Sequence, residues 1–193
     1  MSRIVAGAAG GSPLVSVPGE GTRPTTDRVK EALFSRLESM NMLSGTRVLD
    51  LYAGAGSLGV ESASRGASSV ELVEFDDKAA AVCQRNAELV NKVVGAKVVT
   101  VKRAKVESFL ERAALAGVDQ WDLVFMDPPY PLTETELQLV LGLLGPRLSA
   151  CAVVVVERSA RTPEPSWPPL MERFAEKKYG ETRLWFAEPA QLR

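Results

Sequence analysis

Residues 50–61 read DLYAGAGSLGVE, and the reading of this stretch decides the fold. Gly54, Gly56 and Gly59 have the spacing G-x-G-x-x-G. The run Arg47-Val48-Leu49 leads into it, and a helix-like segment follows. Strand, glycine turn and helix form a unit in which backbone approaches a ligand at a helix N-terminus. An acidic residue, Glu74, stands twenty positions after Gly54.

Outward from this turn the chain alternates between two patterns. RVLDLYA (47–53), SVELVEF (69–75), AKVVTVKR (96–103), WDLVFMD (121–127) and AVVVVERS (152–159) read as strands. Between them SLGVESASRG (57–66), DDKAAAVCQRNAELVNK (76–92), VESFLERAALAG (106–117) and ETELQLVLGLLG (134–145) read as helices. Such alternation predicts parallel strands joined by crossover helices. After the proline-rich loop RTPEPSWPPL (161–170), MERFAEKKYGETRLWFAE (171–188) reads as two strands around a Lys-Tyr-Gly-Glu turn. The expected fold is α/β and Rossmann-like, with a mostly parallel seven-stranded sheet and an antiparallel C-terminal edge hairpin. Residues 1–40 form an expected N-terminal extension. RIVAG (3–7) and PLVSV (13–17) make a hairpin around AAGGS, and a helix starts near Thr26 or Asp27 with Val29, Leu33 and Leu37 on one side. Residues 41–193 make the main domain, and the whole forms one unit.

Composition narrows the chemistry. The 193 residues are 46% hydrophobic and 24% charged, as in ordinary globular proteins. No apolar run approaches the roughly 18 residues that span a bilayer. With no leader-like N-terminus, a cytoplasmic protein is expected. There is no histidine, which excludes imidazole bases, Ser-His triads and His-ligated zinc. Cys83 and Cys151 are too few and too isolated for a metal site, and no metal is expected. The net charge of -1 is far from that of proteins that grip nucleic acid by phosphate neutralisation alone. Such a contact would need a local basic patch or a substrate presented by a larger particle.

Two cofactor readings share the glycine turn. In a dinucleotide enzyme the helix dipole faces a pyrophosphate. S-adenosylmethionine instead brings an ammonium and a sulfonium. Asp50, at the strand end, helps those cations and harms a pyrophosphate, whereas Glu74 can accept from ribose hydroxyls in either reading. DPPY, residues 127–130, decides between them. Two prolines stop the strand and leave the carbonyl of Pro128 free. Asp127 adds a second acceptor, and Tyr130 adds an aromatic face. Two acceptors over a stacking platform suit a planar exocyclic amine.

These residues resemble the bacterial 16S ribosomal RNA guanine-N2 methyltransferases of the small-subunit methyltransferase D family. The matching pieces are RIVAG (3–7), TRPTTDRVKEALFSRL (22–37), LDLYAGAGSLGVE (49–61), Val73-Glu74, DLVFMDPPY (122–130) and KKYGETRLWF (177–186). The resemblance implies a class I S-adenosylmethionine-dependent methyltransferase. It would act on one guanine of 16S rRNA within a 30S particle or an assembly intermediate, as a monomer without metal. It implies Asp127, Pro128, Pro129 and Tyr130 as catalytic residues. Asp50, Tyr52, Ala53, Gly54, Gly56, Glu74 and Thr25 would hold the cofactor. Arg3, Arg23, Arg28, Lys177, Lys178 and Arg183 would touch RNA, with Lys30 beside Arg28 as a further cation. Two places depart from the pattern. The N-terminal hairpin lacks the usual basic residues, and Ala104-Lys105 stand where relatives carry an Asp or Asn for the adenine amine. Adenine N6, protein glutamine N5, a nicotinamide oxidoreductase and a non-catalytic binding protein are the alternatives.

Overall fold

The computed structural model describes residues 2–19, 27–117 and 120–191. Seven strands form one sheet: β1 (Arg47–Leu51), β2 (Ser69–Glu74), β3 (Val99–Arg103), β4 (Trp121–Met126), β5 (Leu148–Ser159), β6 (Met171–Tyr179) and β7 (Thr182–Pro189). Their order is β3-β2-β1-β4-β5-β7-β6. The first five are parallel, and β7 pairs antiparallel with both β5 and β6. The strand order reverses between β1 and β4, so the ends of those two strands open a crevice where α/β sheets bind ligands.

Five helices cover the two faces: α1 (Asp27–Ser39), α2 (Ser57–Ser64), α3 (Asp77–Val94), α4 (Val106–Ala116) and α5 (Glu134–Leu144). One core lies under α1, α2 and α3, where Phe34, Leu37, Val60 and Val90 meet Val48, Leu72, Phe125 and Phe186. The other lies under α4 and α5, where Leu110, Leu137 and Leu141 meet Leu49, Val124, Val156 and Trp185. The run 152–156 is buried throughout, as both-face burial of a central strand requires. No helix of the described residues is long and apolar enough to cross a membrane.

The helices begin and end where local chemistry dictates. The carboxylate of Asp76 accepts from the Ala79 amide at 2.9 Å to start α3. Thr133 and Glu136 form a reciprocal capping box at the start of α5.

The N-terminal hairpin expected from RIVAG and PLVSV does not form as two strands. One isolated bridge, Arg3 to Pro13, remains. The physical reason lies in α2. Its Glu61 carboxylate accepts the amides of Val5 and Ala6 at 2.8 and 3.0 Å, and Ser64 accepts those of Ala8 and Ala9. Two side chains and one carbonyl of a neighbouring helix thus take the amides that a partner strand would have used.

A second departure concerns Lys30. It is 1% exposed, its ammonium donates to the Arg3 carbonyl at 2.6 Å, and it stands 3.6 Å from the Glu61 carboxylate. Burial lowers its pKa, and Glu61 opposes that shift. A cation so enclosed cannot reach RNA. It joins α1 to the N-terminal segment and α2.

Candidate active site

The turn after β1 is built by left-handed backbone. Tyr52, Gly54 and Gly56 have φ of 58°, 57° and 78°. A Cβ on Gly59 would meet Leu72 Cδ2 at 2.2 Å and Val70 Cγ1 at 3.0 Å. One on Gly56 would meet Leu72 Cδ1 at 2.7 Å. These two glycines therefore let α2 settle on β2. The Glu74 carboxylate spans two loops. Oε2 accepts from the Gly54 amide at 2.8 Å, and Oε1 accepts from those of Phe75 and Asp76. A carboxylate offers about four acceptor positions, so three amides do not exhaust it. On the other side of the turn, buried Cys83 donates its thiol to the Gly54 carbonyl.

One cavity of 660 Å³ brings the two decisive turns together. Asp50, Tyr52, Ala53, Gly54 and Ala55 form one wall, and residues 127–130 form another. Glu74 and Phe75 after β2, and residues 105–107 at the start of α4, complete that end. Gly56 does not line it, because the bare side of that residue faces Leu72 and Cys83. Thr25 lies outside the described residues. Within residues 127–130, Pro128 is buried, whereas Tyr130 is 88% exposed and presents its ring at the mouth.

Sequence reasoning missed several lining residues. Phe75 is half exposed, and the Lys105 ammonium lies 5.4 Å from its ring centre. The Ala104 amide donates to the Glu74 carbonyl. An aromatic residue directly after the acidic end of the second strand was the available signal for Phe75. Ser2, Ser16 and Val17 also line the cavity. The fully buried Asn86 of α3 anchors the segment that carries Ser16 and Val17. Its amide oxygen accepts from Val15 N, and its amide nitrogen donates to the carbonyls of Val15 and Ala55. One side chain thereby joins the N-terminal segment to the glycine turn.

Acidic groups outnumber basic ones around the cavity, which Asp50, Glu74, Asp76, Glu107 and Asp127 line together with Lys105. Asp50 is 3% exposed and accepts from the Gly59 amide at 3.0 Å. Burial pushes its pKa well up, the Gly59 bond pulls it down, and the charges of Asp127 and Glu74 push it up again. Burial also raises Tyr52, with Glu107 and Glu136 adding to the shift and Arg158 opposing it. A cationic ligand would relieve this cluster, and a pyrophosphate would be repelled by it. The acidic lining therefore suits a cationic ligand such as S-adenosylmethionine.

The family described as Conserved hypothetical protein 95 matches residues 2–188. The ribosomal RNA small subunit methyltransferase D of Haemophilus influenzae is 33% identical over 175 residues, covering 89% of this chain and 87% of that protein. The chain belongs to the small subunit methyltransferase D family. The Escherichia coli K12 protein of that name is 32% identical over 181 residues, covering 93% of this chain and 85% of its own. The solved structure of yhhF from Escherichia coli superposes with a TM-score of 0.80 at 28% identity, covering 98% of both chains. The expected Rossmann-like methyltransferase fold is the observed one.

The cations expected to meet RNA in this family member are scattered. Arg3 is exposed and pairs with Asp27 at 3.2 Å, while Arg28 is exposed on α1. Arg23 lies outside the described residues. Lys177 pairs in register with Leu184, whose side chain belongs to the core under α1. Lys178 pairs with Arg183 on the opposite face of the sheet.

Proposed function

We propose that this chain methylates the exocyclic N2 amine of one guanine in 16S ribosomal RNA, on 30S particles or their assembly intermediates. The observation that carries the reading is the shared cavity, walled by an acidic glycine turn on one side and by Asp-Pro-Pro-Tyr on the other. The small-subunit names of the relatives support ribosomal RNA as the substrate.

S-adenosylmethionine, when bound, supplies an electrophilic methyl group on a positively charged sulfur. Asp50, Tyr52, Ala53, Gly54 and Glu74 would hold it, with Phe75 beside the purine. The protein's own task is to position a weakly nucleophilic amine. The Asp127 carboxylate and the Pro128 carbonyl accept its two N–H groups, which aligns the nitrogen and raises its electron density. Pro129 holds the direction of that carbonyl, and Tyr130 stacks on the base. Positioning of this kind is worth roughly 7–11 kcal/mol in favourable cases. After transfer, a carboxylate oxygen of Asp127 takes the proton that the nitrogen sheds. A base drawn out of a helix costs a few kcal/mol, of which stacking on Tyr130 returns about 1–3. The test is transfer of tritiated methyl to 30S particles, free 16S RNA, DNA and protein from cells lacking the gene, followed by nucleoside analysis. Label in N2-methylguanosine is expected. Label in N6-methyladenosine or in protein would refute the assignment.

A further inference from the structure

Three cations stand in one row on the α5 side of the sheet. Arg158 of β5 is the register partner of Arg183 of β7, and Arg183 is the register partner of Lys178 of β6. Residues paired in this way share a face, with Cβ atoms about 4.5–5.5 Å apart, and like charges so placed are destabilising. Among the described residues the carboxylate paired with the row is Glu134, 2.7 Å from Arg158. The row therefore carries more positive than negative charge.

It is also a built feature rather than a fringe of mobile lysines. The Arg158 side chain is 7% exposed, and its Nε is buried without a partner. The Nε of Arg183 is buried and unpartnered too, and its guanidinium lies 5.3 Å from the centre of the Trp185 ring. Burial of that kind holds both planar groups in place, and a fixed guanidinium fork matches the two oxygens of a phosphate.

The row begins beside the candidate site. Val156 of β5 pairs with Met126, the last residue of β4. Arg158, two residues further, stands level with Pro128 on the neighbouring strand. From there the row runs outward across two strand spacings, about 10 Å.

We propose that Arg183 and Lys178 form a phosphate track that holds the backbone of the RNA strand delivering the target base, with the enclosed Arg158 standing behind them as a fixed positive charge. The inference rests on the reading of the chain as an RNA methyltransferase. Phosphodiester oxygens supply the negative charge that the row lacks, and they do so next to the ring on which the base would stack. Lys177 takes no part, since its side chain lies on the other face.

The test uses the full chain with Arg183→Gln, Lys178→Gln, the double variant and Lys177→Gln as a control. Small-subunit particles or 16S RNA from cells lacking the gene are the probe. Arg183→Gln is expected to raise KM for RNA about tenfold, from loss of a charge-assisted contact. Arg183→Gln and Lys178→Gln should each reduce the slope of log affinity against log salt by about 0.7–0.9. Cofactor affinity by calorimetry should stay within about twofold of the parent, and Lys177→Gln should change RNA binding by less than about twofold. Arg158→Lys keeps the positive charge behind the row, and a KM for RNA within about twofold of the parent is expected; a tenfold rise would place Arg158 itself on the phosphate and overturn its role as a charge behind the track. An unchanged KM and salt slope in the double variant overturns the track, as does an equal effect from Lys177→Gln. If the parent transfers no methyl to RNA, the functional reading fails. Filter retention of 16S RNA then judges the track alone: weaker retention by the double variant supports it, and equal retention overturns it.

Discussion

Replacing Asp50 by Asn should move folding stability and cofactor affinity in opposite directions. Asn keeps an acceptor for the Gly59 amide, which now donates to Asp50 at 3.0 Å. It removes a charge that is almost wholly out of water and faces Asp127 and Glu74. Removing that buried charge should stabilise the ligand-free protein by about 1–2 kcal/mol. For a chain of this size that raises Tm by about 2–8 °C. The sign of the pH dependence follows from the raised pKa. Asp50 favours folding fully below its unfolded value, and that contribution is lost as pH rises through the higher folded value. The advantage of the Asn variant should therefore grow as pH increases from about 4. Cofactor affinity should fall. Opposite unit charges about 5 Å apart attract by about 3 kcal/mol at an effective dielectric of about 20. With Asp127 and Glu74 still present, a loss of about 2–3 kcal/mol is expected, or roughly 30–150-fold in Kd. A variant that binds S-adenosylmethionine as tightly as the parent, or that melts below it, refutes the account of Asp50 as a strained counter-charge.

Three further outcomes are expected. Asp127→Ala should abolish methyl transfer while cofactor Kd by calorimetry stays within about tenfold, since one flanking carboxylate is lost and Asp50 remains; retained turnover would disprove its role at the amine. Tyr130→Ala should slow single-turnover transfer to RNA about 5–150-fold, the equivalent of about 1–3 kcal/mol of stacking, and leave cofactor binding unchanged. Equal single-turnover rates would count against the platform. Asn86→Ala should lower Tm by about 4–12 °C, from about 2–3 kcal/mol of lost hydrogen bonds at Val15 and Ala55. It should also weaken cofactor binding, because Ser16 and Val17 would no longer be held at the cavity; a lower Tm with unchanged affinity would show the join to be structural alone.

What could be read from residues alone was whatever local pattern dictates. Runs such as 121–126 and 152–156, separated by segments of helical periodicity, placed the strands. Asp50, Gly54 and residues 127–130 at strand ends fell on one crevice because parallel strands all end at one edge. The N-terminal segment was illegible because its amides are taken by Glu61 and Ser64, more than fifty residues away. Lys30 looked like a surface cation, yet it falls on the same helical stripe as Leu33, Phe34 and Leu37, and that periodicity implied burial with a partner. The pairing of Arg158 with Arg183 depends on the register of β5 against β7, which no local pattern sets.

The strand order also constrains how this chain is made. β7 lies between β5 and β6, so β6 has no partner until β7 has been synthesised. Until then the valine-rich margin of β5 is a bare template for any passing strand. A nascent chain interrupted after Tyr179 would hold β6 with nothing to join and would leave β5 open to aggregation. The sheet on this side is thus completed only by a late-made strand, and a frameshift in that stretch would cost both strands of the C-terminal hairpin rather than one.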